Sequence, residues 1–216
     1  MGLVTRIERW EMPAAIGMAT EGIRAKYSEG AGGGGFGAAD YEIGAKLDGA
    51  KVLAAVERMA SIAPHLADWS MFAYASPLWN SHDNKARLFE SVMNDWVVCA
   101  SEQGTLIQQR THDKVKALIP VIAGGLALEQ AGGAQASLAE GSIKYTPTVT
   151  RAYLIHVLVE VDCQVKGEQS DGFKKKRARY YQNHWSDWSQ HVEAIRTLLI
   201  SYDQAARNLF KKELEN

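Results

Sequence analysis

Apolar side chains recur at helical intervals along most of this chain and at two-residue intervals almost nowhere. The strictest register lies at the C-terminal end: Tyr181, Trp185, Trp188, Val192, Ile195, Leu199, Tyr202, Ala206 and Leu209 follow one another in alternating steps of four and three. Such steps place all these side chains on one face of a helix, so the pattern predicts a long amphipathic helix lying along a bundle or paired with a second copy of itself. Upstream, Asp48 can cap a helix carrying Val52, Leu53, Val56, Met59, Ala60 and Ile62, which Pro64 ends. Pro64 to Ala75 is apolar around most of a helical circumference and stops near Pro77, as a helix at the centre of a core would.

Asp83 can open a further helix with Leu88, Phe89, Val92, Trp96 and Cys99 on one face. His112-Asp113 opens another, with Val115, Leu118, Ile119 and Ile122; Gly124-Gly125 weakens that pattern and Gly132-Gly133 breaks it. Tyr145 to Arg151 reads as an extended lead-in, with Thr146 as cap and Pro147 in the first turn of a helix running to about Val165. The β-branched Ile155, Val157, Val159 and Val161 would also suit a strand there. Lys166 to Asp171 reads as a loop. Strand signals are few and no internal repeat is visible, so the predicted fold is all-α: a multi-helix bundle with a long C-terminal amphipathic helix.

One composition shift divides the chain. Gly30 to Gly37 holds six glycines in eight positions, too costly in backbone entropy for a regular element, and reads as a linker. A phosphate-cradling loop would need a following Lys-Ser/Thr and a preceding β-run, and neither is there. The expected organisation is an N-terminal segment and linker, 1–37, and a helical domain, 38–216, with 38–133 and 140–216 as subdomains.

The chain has 216 residues, 46% of them hydrophobic and 23% charged, which argues against wholesale disorder and against fibrous structure. Lys and Arg number 24 against 25 for Asp and Glu, so any nucleic-acid site must be a local patch on a nearly neutral protein. Cys99 and Cys163 are too few for a disulfide framework and fit a reducing compartment. The N-terminal residues lack the apolar run of a secretion signal. The longest uncharged apolar stretch, Ala117 to Leu128, is twelve residues against the roughly eighteen a membrane span needs. The expectation is a cytoplasmic protein with no membrane association.

One segment has a marked electrostatic character. Lys174-Lys175-Lys176-Arg177-Ala178-Arg179 carries five positive charges in six residues, followed at once by Tyr180, Tyr181, Asn183, His184 and Trp185. The heptad phase reaches back to Tyr181, so these cations fall in the N-terminal turns of the predicted long helix, where the macrodipole disfavours each by about 0.3 kcal/mol or more. Helix stability does not explain them, whereas a polyanion does. Lys174, Lys175, Lys176, Arg177 and Arg179 are candidate phosphate contacts on DNA, and Tyr180, Asn183 and His184 candidate base contacts. The plainer alternative is a solvated charge run.

Other chemistry finds less support. His156, Glu160 and Cys163 share a helical face at i, i+4 and i+7, but lie opposite the Leu154-Leu158-Val161 stripe and are more simply an exposed polar face than a metal site. His184 and His191, interleaved with Asp187, read the same way, and neither metal nor cofactor is assigned. There is no GxSxG, HExxH or Walker motif, and no recognisable Cys-His pairing, so no enzyme is expected. Trp69, Trp96, Trp185 and Trp188 sit on apolar phases as core or interface anchors.

Several stretches resemble, in order, the bacteriophage antitermination Q proteins, particularly the lambda branch. They are Met12-Pro13-Ala14-Ala15-Ile16-Gly17-Met18; Ala50-Lys51-Val52-Leu53 followed by Phe72-Ala73-Tyr74-Ala75; Thr146-Pro147 leading to Arg151-Ala152-Tyr153; and Trp185-Ser186 through Leu199. The resemblance implies a phage late-gene regulator in the bacterial host that binds DNA near a promoter, engages paused RNA polymerase and lets it read through terminators. Lambda-type members carry a Cys-rich zinc module after the Phe-Ala-Tyr-Ala helix, where this chain has only Cys99, so zinc is not carried over. Helical Q proteins without zinc are the nearer comparison. The competing expectation is a helical interaction factor of phage origin, an inhibitor or assembly protein without DNA binding. It would use Trp185, Trp188, Val192, Ile195 and Leu199 as a partner interface, or as the seam of a homodimer through the C-terminal helix.

Overall fold

The structure is a computed structural model that describes residues 11–21, 38–131, 137–139, 142–144 and 148–215. The fold is all-α, as the periodicity predicts. In chain order the described helices are α1 (Met12–Glu21), α2 (Ala38–Ile62), α3 (Pro64–Tyr74), α4 (His82–Glu102), α5 (Gln109–Ala131), α6 (Arg151–Lys166), α7 (Asp171–Asn183) and α8 (Trp185–Glu215). A 3-10 turn spans Pro77–Trp79, and two short strands, β1 (Ser137–Ala139) and β2 (Ser142–Lys144), pair antiparallel with Leu138 opposite Ile143. The Gly30 to Gly37 linker and the Thr146-Pro147 lead-in lie outside the described residues.

The chain divides into two compact units, Met1–Lys85 with Tyr202–Asn216, and Ala86–Ser201. This replaces the expected split into 38–133 and 140–216. Helices α5 and α6 pack directly on one another, so the intervening stretch does not separate domains, and the end of α8 belongs with the N-terminal helices.

In the first unit, α1 packs on α2 and α3, and α2 on α3. Ile16, Val52, Met59 and Trp69 are fully buried there. Pro64 both ends α2 and opens α3, because a first-turn proline has no intrahelical N–H to lose. Buried Asp203 on α8 accepts from Trp69 Nε1 (3.1 Å), Tyr74 Oη (2.5 Å) and Arg207 Nε (2.6 Å), and Arg207 Nη2 donates to the same phenol (2.8 Å). This closed network satisfies a carboxylate that would otherwise be costly to bury. Burial, reinforced by the bond to Asp203, pushes the Tyr74 phenol well above its ordinary value.

The second unit's core is built from Leu88, Val92, Trp96, Leu118, Ile119, Ile122, Leu126, Leu158, Ile195 and Leu199. Helix α5 passes through Pro120 and Gly124-Gly125 and ends at Ala131, just before the Gly132-Gly133 break read from the sequence; the burial of Leu118, Ile119, Ile122 and Leu126 outweighs the weak local propensity. Gly125 has a steric role: a Cβ added there would lie 2.4 Å from Val149 Cγ2. Glu129 on α5 accepts from the Thr148 backbone N–H (2.6 Å) and takes a two-pronged ion pair from Arg196 on α8 (3.2 and 2.9 Å).

Two boundaries differ from the sequence reading. Asp48 does not cap α2, which starts at Ala38. Thr150, rather than Thr146, caps α6, its side chain accepting from Tyr153 N, and Gly167 closes that helix in the left-handed region (φ 68°). The strand alternative for this segment is excluded.

Candidate nucleic-acid interface

The cations do not open the long helix. They occupy a separate helix, α7, capped by Ser170, whose side chain accepts from Phe173 N, and closed at His184. Helix α8 begins one residue later at Trp185, so the apolar phase runs through the break and the sequence reads as one helix. Ser170-Asp171 is a capping signal that could have located α7, and Asp171 offsets part of the macrodipole penalty on the lysines that follow.

Helical geometry splits the five cations into two sets. Lys174, Arg177 and Tyr181 face α6. Lys174 Nζ lies 2.9 Å from Glu160, and Arg177 Nε 2.6 Å from Asp162 Oδ2. The same Oδ2 accepts from Tyr181 Oη (2.5 Å), while Lys114 of α5 pairs with Oδ1 at 3.0 Å. Burial pushes the Asp162 carboxyl up, but hydrogen bonds from Tyr181, Lys114 and Arg177 outweigh it and hold it below the ordinary aspartate value. Burial and the bond to Asp162 push the Tyr181 phenol well up. The hydrogen bond from Lys174 holds the Glu160 carboxyl low. Lys174 and Arg177 therefore anchor α7 to α6 and are turned away from the outward face of α7.

Lys176 and Arg179 point outward, and Lys175 stands at the rim of a groove lined by Ala152, Ile155, His156 and Val159 of α6. All three are exposed and make no ion pair with any described residue. Asn183 shares that side. Tyr180 is 43% exposed, with the Arg177 guanidinium 4.5 Å from its ring centroid and the His184 ring also at 4.5 Å, so much of its ring surface is already covered. Arg151 braces the end of α7, donating to Gln182 O (2.8 Å) and lying over the Trp185 ring. The result is a helix about 20 Å long, fixed on one side by ion pairs and bearing unpaired positive charge on the other.

The remaining candidate residues fall elsewhere. Trp188, Val192, Ile195 and Leu199 are buried within the chain, and Trp185 lies half-buried beneath Arg151. The apolar side of α8 is thus already covered. Cys163 is fully buried, Glu160 is held by Lys174, and His156 is exposed; among the described residues no three His, Cys, Asp or Glu groups converge as metal ligands. His191 sits between the Trp96 and Trp188 rings (5.4 and 5.6 Å), where burial lowers its pKa against a smaller opposing effect of Asp187. Among the described residues no helix is long and apolar enough to cross a membrane. No known protein family, curated protein or solved structure matches this chain.

Proposed function

We propose that this chain binds DNA through the outward face of α7, with Lys175, Lys176 and Arg179 on phosphates and Asn183 turned to base edges. The observation that carries this reading is the unpaired trio of cations on a helix whose other two are held by Glu160 and Asp162. Positive charge left without an ion-pair partner is the means by which proteins hold the phosphate backbone, and a single α-helix fits the major groove. The five-cation footprint read from the sequence is thereby reduced to three. Tyr180 and His184 pack against one another with their rings tilted, which leaves Asn183 as the favoured base reader.

The biological setting follows from the resemblance to the phage Q proteins: a transcription antitermination regulator acting on RNA polymerase in the host cytoplasm. The protein-interaction reading draws on the heptad face of α8, and burial of that face within the chain favours the DNA reading. Fluorescence anisotropy with labelled duplexes is the test. The triple variant Lys175→Ala/Lys176→Ala/Arg179→Ala should weaken binding to every sequence alike, while Asn183→Ala should change the ranking of sequences. A triple variant that binds as tightly as the parent would refute the proposal. Purified RNA polymerase transcribing through a terminator tests the antitermination step, with increased read-through as the expected result.

A further inference from the structure

Between the start of α5, the end of α6 and the inner flank of α7 lies a cleft of about 340 Å³ whose chemistry differs from that of the outward face of α7. Four cations line it, Arg110, Lys114, Lys166 and Arg177, against two carboxylates, Asp113 and Asp162. Asp162 is saturated, its two oxygens shared among Lys114, Arg177 and Tyr181. Arg177 uses Nε and Nη2 within this network, which leaves its Nη1 end uncommitted. Arg110 is exposed and makes no ion pair with any described residue, and Lys166 forms an ion pair with Glu168 at the surface (2.7 Å). The excess charge therefore faces the cleft.

The cleft also has an apolar side. Phe173 and Val165 line it, with the Lys166 ammonium 4.5 Å from the Phe173 ring centroid. Its volume is about ten times a water's share of the liquid, roughly 30 Å³, and falls at the small end of organic-ligand pockets. A bare anion would leave most of it empty. Asp113 adds an acceptor: its Oδ1 is occupied by Gln109 Nε2 (2.7 Å), while Oδ2 has no hydrogen-bond donor among the described residues. Cations for a phosphate, a carboxylate for sugar hydroxyls and an aromatic edge for a base are the parts that recognise a nucleotide.

We propose that this cleft binds a nucleoside monophosphate. The phosphate sits among Arg110, Lys166 and the free end of Arg177, with a ribose hydroxyl donating to Asp113 and the base against Phe173 and Val165. The same chemistry is offered by a free nucleotide and by the 5′-phosphorylated end of a strand. The site does not depend on DNA binding by the outward face of α7.

Isothermal titration of the full chain with AMP, adenosine, inorganic phosphate and a 5′-phosphorylated tetranucleotide tests it. AMP should bind saturably, at least about tenfold more tightly than adenosine or phosphate. Arg110→Ala/Lys166→Ala should weaken AMP by about tenfold or more with an unchanged circular dichroism spectrum, since both side chains lie at the surface. The α7 triple variant should bind AMP as the parent does. A tetranucleotide that binds more tightly than AMP, and loses that advantage without its 5′-phosphate, assigns the site to strand ends; the reverse order assigns it to free nucleotide. Absence of AMP and tetranucleotide binding up to about 10 mM, equal affinity for AMP and phosphate, or equal loss in both variants would overturn the proposal.

Discussion

Truncating Glu129 to Ala should be among the most damaging single changes in the second unit. Its side chain is 3% exposed and that of Arg196 11%, so the two-pronged pair lies out of water, and Glu129 also accepts from the Thr148 backbone. Removing the carboxylate strands a buried guanidinium and one backbone donor. Breaking such a pair costs about 3–5 kcal/mol, against about 0–1 for a pair exposed to solvent. At this chain length the loss corresponds to a Tm drop of about 6–20 °C. Urea unfolding followed by tryptophan fluorescence measures it, because Trp96 and Trp188 lie in the same unit. Arg196→Ala should cost a similar amount, and the two losses should fall well short of additive in the double variant. Glu129→Leu combined with Arg196→Met should recover most of the stability, since a packed apolar pair avoids the desolvation of two charges. A loss below about 1 kcal/mol for Glu129→Ala would show that the pair is screened, and the argument from burial would fail.

The two adjacent glycines of α5 should behave oppositely. Gly124→Ala has open space around the new methyl and should stabilise by about 0.5–1 kcal/mol, whereas Gly125→Ala meets Val149 and should destabilise by about 1–3. Val149→Ala should rescue Gly125→Ala, and a Gly125→Ala variant as stable as the parent would contradict the steric account. His191 should titrate below the ordinary histidine value of 6.5 in a proton NMR titration. As pH falls below that value the unfolded chain takes up the proton first, so the contribution of His191 is complete above about 6.5 and declines on acidification. His191→Phe should flatten this dependence between about pH 7 and 5, and an NMR value at or above 6.5 would contradict it.

The helices were legible where the apolar face is also the buried face. Leu88, Val92 and Trp96 of α4, and Val115, Leu118 and Ile119 of α5, fall where spacing puts them. At the end of α8 the heptad reading drifts: Leu209 continues the three-four steps, but Phe210 and Leu214 are the buried residues, because a straight helix turns every 3.6 residues rather than 3.5. The break at His184 was hidden because Tyr181 and Trp185 stay in phase across it. In the candidate site, Lys175, Lys176 and Arg179 could be read as open cations, but the capture of Lys174 and Arg177 could not. Their partners, Glu160 and Asp162, stand fourteen and fifteen residues away on another helix, and no local spacing encodes that pairing. Burial of the α8 face is likewise a tertiary fact: periodicity says that a face is covered, not what covers it.

The claim that α7 holds a polyanion by three cations is tested most directly by the salt dependence of duplex binding, for the parent and for Lys176→Ala. Three neutralised phosphates give a log–log slope of about −2.7, and loss of the Lys176 contact leaves two and flattens it to about −1.8. A flat dependence in the parent, or the same slope in both proteins, would contradict the account.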